Sequence, residues 1–123
     1  MGPNYVLDKG FIAGNAIGQF RAVVQTGDQT CALAGAAGDV LGVCQEEISA
    51  QDATDGRVAD IRIMGITRMI AGAAVTRRDR VAADAQGRAV LATTGQAVIG
   101  IAWTAATAAG EHIDVLLTPG AKA

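Results

Sequence analysis

Residue types able to do acid–base, nucleophilic or metal chemistry are sparse in this chain of 123 residues. His112 is the only histidine and directly follows Glu111. Acid–base catalysis needs both partners within reach of one substrate. His112 falls on the outward face of the last predicted strand, where a solvated side chain is expected rather than a base. Cys31 and Cys44 are the only cysteines. Two separated thiols and one imidazole do not make a zinc-site spacing, and they are too few for a disulfide framework, so buried free thiols are expected. Asp52, Asp55 and Asp60 lack the order of a calcium loop. Gly35 to Gly38 lacks the Lys-Ser/Thr of a phosphate loop. Glu46–Glu47 and the run Arg77 to Arg80 read as solvated loop charge, with contacts at the rim of a partner as the sharper alternative. Trp103 directly follows a predicted buried strand. It is either a core cap or an interface anchor, because aromatics serve both ends. The expectation is a protein with no catalytic residue, no cofactor and no metal.

Composition points the same way. Half the residues are apolar, yet only four are aromatic. The core must be thin and built from small aliphatic side chains, and association would help such a fold by mass action. The formal net charge is −2 and no basic stripe exists, so nucleic acid is not an expected partner. No apolar run reaches the roughly 18 to 20 residues that span a bilayer, and no membrane partner is expected. The first ten residues, MGPNYVLDKG, show neither a secretory pattern nor a myristoylation signal.

The elements that would position these residues are mostly strands. Hairpins are predicted from Arg21–Val24 to Thr30–Leu33 and from Arg80 to Leu91, with Gly and Asp at the turns. Val40–Val43 and Val98–Ile101 are short branched runs that favour buried strands. Each contains a glycine, Gly42 and Gly100, which suggests a bend or a close backbone crossing. Residues 59–64 alternate: Ala59, Ile61 and Ile63 inward, Asp60, Arg62 and Met64 outward. Ile113, Val115 and Leu117 take the inner face of the last strand. Ser49–Asp52 resembles a capping box, so a helical turn is predicted before Gly56. Thr104–Gly110 is predicted to form a similar turn, and its alanines make a longer helix the main risk to an all-β reading.

The chain also contains itself twice. Shifted by 58, residues 11–44 lie over 69–102 without a gap, pairing Ile12 with Ile70, Gly14 with Gly72, Val23 with Val81, Leu33 with Leu91 and Gly42 with Gly100. After a four-residue gap, 56–65 corresponds to 110–120, with Asp60 opposite Asp114. Matches cluster at apolar and glycine positions while the polar positions diverge. This predicts one domain over 11–120 made of pseudo-repeats at about 11–65 and 69–120. Residues 1–10 are read as an N-terminal arm, with a first edge strand as the alternative, and 121–123 as a tail.

The order Ile70–Val75, Val81–Val90, Gly100–Ala102 and Ala109–Pro119, with Leu41–Glu46 and Ser49–Ala53 in the first half, resembles the bacteriophage capsid decoration (cement, head-stabilisation) proteins. The resemblance covers about residues 11–119 and rests on turn glycines and strand apolars. It implies an all-β, internally duplicated β-barrel-like domain of the β-tulip or β-clip kind. It also implies a non-enzymatic virion protein on the outer capsid surface, made in the host cytoplasm. Its partners would be the phage major capsid protein and itself, as a homotrimer, clamping neighbouring capsid subunits after the head expands. Pro3, Asn4, Tyr5, Val6, Leu7, Glu46, Glu47 and Trp103 are the candidate interface residues. One alternative is another phage head or tail accessory module, such as a head-fibre base. The other is a small duplicated carrier or ligand-binding domain, against which the absence of lysine at the hairpin tips argues.

Overall fold

A computed structural model describes residues 7–36, 38–118 and 120–123. The first half of the chain runs β1 (Leu7–Ala13), β2 (Ala22–Gln25), β3 (Thr30–Leu33), β4 (Val40–Cys44), α1 (Ala50–Thr54) and β5 (Val58–Met64). Its strands close into a barrel in the order β1-β3-β2-β4-β5. The second half runs β6 (Ile66–Ile70), β7 (Arg80–Ala83), β8 (Ala89–Leu91), β9 (Gly100–Ala102) and β10 (His112–Leu117). These make a five-stranded sheet in the order β6-β10-β9-β7-β8. The all-β architecture follows the predicted alternation: Ala59 and Ile61 are buried in β5, and Ile113, Val115 and Leu117 in β10.

The pairings of the two halves coincide, with an offset of 58 up to β4 and 54 for the last strand. Phe11 opposite Ala59 becomes Met69 opposite Ile113, and Val23 opposite Gly42 becomes Val81 opposite Gly100. The bridge Ile17–Ile48 becomes Val75–Ala106. Phe20 and Arg78, 58 apart, are the two non-glycine residues with positive φ among the described residues. Each is pinned by its N–H, Phe20 donating to Cys44 O (2.8 Å) and Arg78 to Ala102 O (2.7 Å). Gly42 and Gly100 show the close crossing their sequence suggested. A Cβ at either would collide with a carbonyl of the neighbouring strand, of Arg62 in β5 and of Leu116 in β10.

One seam differs. In the first half Ile12 N–H donates to Gln29 O (2.8 Å), and β1 runs parallel to β3 through Ile12–Thr30 and Ala13–Cys31. In the second half the corresponding groups do not meet. Ile70 N–H donates to Phe20 O (3.4 Å), and Gly87 O accepts from Ala22 N–H (2.8 Å). Residues 20–22 of the first half thus occupy the second seam, leaving only the Ala71–Ala89 bridge to close it. Arg21 Nη1 donates to Gln86 O (3.0 Å), and Gln45 Nε2 donates to Thr67 Oγ1 (2.7 Å) across the same junction. Ala22, Ala34 and Val43 of the first half lie in the core of the second, while Phe11, Ile17, Cys31, Cys44 and Ile61 pack in the first.

Three expectations need correction. Residues 7–10, assigned to an arm, are the first half of β1 and pair with β5, because their backbone groups join the barrel ladder. β9 starts at Gly100 rather than Val98, since Val98 N–H donates to Ala121 O (2.9 Å) of the C-terminal residues and leaves the sheet. Residues 103–109 form no helix. Ala106 is drawn into the core by reciprocal bonds with Val75 (2.9 and 3.0 Å), and the loop is four residues shorter than its counterpart. The counterpart does hold the predicted turn: Ser49 and Asp52 cap α1 reciprocally, each side chain accepting the other's N–H (3.1 Å).

Candidate functional site

The groups with chemical potential are dispersed. His112 begins β10 on its exposed side and stands edge-on to the Phe20 ring, with centroids 5.9 Å apart. Glu111 turns away from it and accepts from Thr107 Oγ1 (2.6 Å) and Thr107 N–H (3.2 Å), which holds its carboxyl below the usual range. Cys31 and Cys44 are free and buried. Burial pushes the Cys31 thiol up to about 11, with Cys44 adding to the effect, and burial raises Cys44 as well. Thiols so shifted are poor nucleophiles near neutral pH. Among the described residues no three His, Cys, Asp or Glu side chains gather to hold a metal ion, and no helix is long and apolar enough to cross a membrane. Asp60 is raised, first by desolvation and then by Asp8 and Glu46, but it faces outward on β5 beside Arg62 and not into a cleft.

The predicted interface residues separate in space. Pro3, Asn4, Tyr5 and Val6 lie outside the described residues. Leu7 opens β1, exposed and opposite Met64. Glu46 pairs with Arg57 (2.9 Å), which also reaches Asp52 (3.2 Å), so this acid braces the end of α1. Glu47 accepts the Gln19 N–H (2.8 Å) and is exposed. Trp103 is 49% exposed, which removes the core-cap reading. Its N–H donates to Asp114 O (2.7 Å), as Gln45 N–H does to Asp60 O (2.9 Å) in the first half. Trp103 and Glu46 therefore stand at matching ends of different halves.

What the structure does bring together is an apolar face that single-residue reading missed. On the outside of β1 and β5, Leu7 faces Met64 and Ile12 faces Val58. All four are exposed, Val58 by 55%. Between the two pairs Arg62 grips Asp8 with two bonds (2.9 and 3.2 Å), and Gly10 leaves room for the Val58 side chain. Exposed apolar side chains gathered on one face suit contact with another protein. Ile12 and Val58 carried a signal in their strand position, but only the register sets them side by side. The same positions in the second half, Ile70 and His112, are partly covered by Phe20.

No curated protein matches the chain. The crystal structure of the head fiber gp8.5 N base in bacteriophage phi29 shares the fold, with a TM-score of 0.71 over 93% of this chain and 95% of that one at 16% identity. The profile of a family described as phage cement protein matches residues 6–117. The chain is a member of the phage cement protein family.

Proposed function

We propose that this protein binds the outer surface of the expanded phage head and stabilises the shell by clamping neighbouring major capsid subunits, acting as a homotrimer. The observation that carries the reading is the exposed outer face of β1 and β5, where Leu7–Met64 and Ile12–Val58 flank the Asp8–Arg62 pair. Family membership supplies the kind of partner. We also infer that the halves are copies of one module, supported by the shared offsets of their strand pairings. Glu47 and Trp103, with residues 3–6 ahead of β1, are assigned to the rim of the contact. Individual contacts can be weak, because a trimer engages several sites at once. Purified protein added to expanded, undecorated heads should bind saturably and raise their melting temperature. Val58→Glu with Met64→Glu should abolish binding while the protein stays folded. Absence of saturable binding by the unmodified protein would refute the role.

A head-fibre base is the second reading, favoured by the fold shared with the phi29 fiber base. Copy number separates the two, with hundreds per particle for a shell stabiliser and few for a fibre base.

A further inference from the structure

The two halves treat one shared feature in opposite ways. A groove of about 550 Å³ is lined by Val24, Gln25, Asp39, Val40, Leu41 and Ile63 of the first half and by Gly120 near the C-terminus. None of those six residues is buried. Their counterparts in the second half are Ala82, Ala83, Ala97, Val98, Ile99 and Leu117, and all six are buried. Ala83, Ile99 and Leu117 belong to the core of that half, and the chain's own C-terminal residues run along Gly95–Val98. Val98 N–H donates to Ala121 O (2.9 Å), Ala123 N–H to Gln96 O (2.9 Å) and Gly95 N–H to Ala123 O (2.7 Å). Lys122 stands opposite Ala97 in antiparallel register. That segment is three residues joined by one isolated bridge at Lys122, a basic residue between two alanines.

In the first half the position of Ala97 is taken by Asp39, which is exposed and in no salt bridge among the described residues. The groove therefore pairs apolar walls with an acid at the register position where the C-terminal segment beside the other half carries a lysine. We propose that this groove binds an extended peptide segment of a partner polypeptide, running along Asp39–Leu41 with a lysine or arginine set against Asp39. Apolar side pockets along an extended backbone are one of the standard ways a sheet recognises a peptide. Peptide capture here is independent of the shell-binding role proposed above.

The test titrates the full-length, methyl-labelled protein with the acetylated peptide Gly-Ala-Lys-Ala, the sequence of residues 120–123. Saturable NMR shifts are expected at the methyls of Val24, Val40, Leu41 and Ile63, with a Kd on the order of millimolar for so short a ligand. Glutamate in place of the peptide lysine should weaken binding about two- to fivefold, the range of an exposed ion pair. Asp39→Lys, at an exposed position, should reverse that preference. No saturable shift at these methyls would overturn the proposal, as would equal response to both peptides. So would NOEs in the free protein from residues 1–6 to the groove, which would show it already filled.

Discussion

The first half closes its barrel on itself, whereas the second is closed by its neighbour. The backbone bonds correspond strand by strand, yet the bond from Ile12 to Gln29 has no equivalent between Ile70 and Gly87, whose groups bind residues 20–22 instead. The two halves are thus joined at a single opened seam. Both freed backbone groups find new partners, while the buried Arg21 Nε beside them has none among the described residues. The gain is a shared core, with Ala22, Ala34 and Val43 packed among residues of the second half. For a chain with few aromatics, that route to burial matters more than usual.

Both thiols sit in the first core, and their counterparts Ala89 and Ala102 are unreactive, so alkylation reports on the first half alone. With Cys31 raised from 9.0 to about 11, its reaction at pH 8 should be about a hundredfold slower than in the denatured chain. Equal rates with and without denaturant would mean the first barrel opens readily. Gly42→Ala and Gly100→Ala should each cost about 3 kcal/mol in urea unfolding, because each Cβ meets a neighbouring carbonyl that cannot yield. A large loss at one site only would show that one half folds without the other. Gly87→Ala should cost about 2 kcal/mol, from its φ of +74° and from contact with Ala22 O at 3.0 Å. Gln29→Ala, at the matching position of the closed seam, should change stability by less than about 0.5 kcal/mol. Similar losses at both positions would contradict the inserted-seam geometry.

Smaller effects than those at the three glycines concern the two loops. Ser49→Ala should lower stability by about 1 kcal/mol through loss of the α1 cap. Its counterpart Thr107 binds Glu111 where Ser49 binds Asp52. Both acids are shifted down in the folded state, from ordinary values of 3.8 and 4.5. A depressed folded pKa gives stability that is present above the ordinary value and lost as pH falls through the folded one. Acid titration should therefore loosen both loops below about pH 4, seen as lower amide protection factors at Ser49 and Thr107. Asp52→Asn and Glu111→Gln should each remove that pH dependence from its own loop only.

Much of this was legible in the chain. The period-two alternation of residues 59–64 needs no tertiary context, because a strand with one wet face must alternate. Ser49 with Asp52 announced α1 through local bonds alone. Gly42 and Gly100 marked backbone crossings because no other residue fits there. The failures share a cause. The alanines of 103–109 favour helix locally, but Ala106 is held by Val75, some thirty residues earlier. Residues 7–10 look like a tail until β5 pairs with them. Trp103 left two readings open because exposure is not a property of sequence. Leu7, Ile12, Val58 and Met64 meet only through the β1–β5 register.

By itself, then, the order of residues determined which segments are strands, which faces they bury and where glycine is obligatory. Those outcomes follow from sterics and hydrophobic periodicity within a few residues. Tertiary structure alone decided that one barrel closes and the other accepts residues 20–22 of its neighbour, and which half keeps an open groove. Those choices depend on which of several equivalent backbone donors reaches an acceptor first in space. Chemically identical N–H and C=O groups carry no label in the sequence to say which partner they will find.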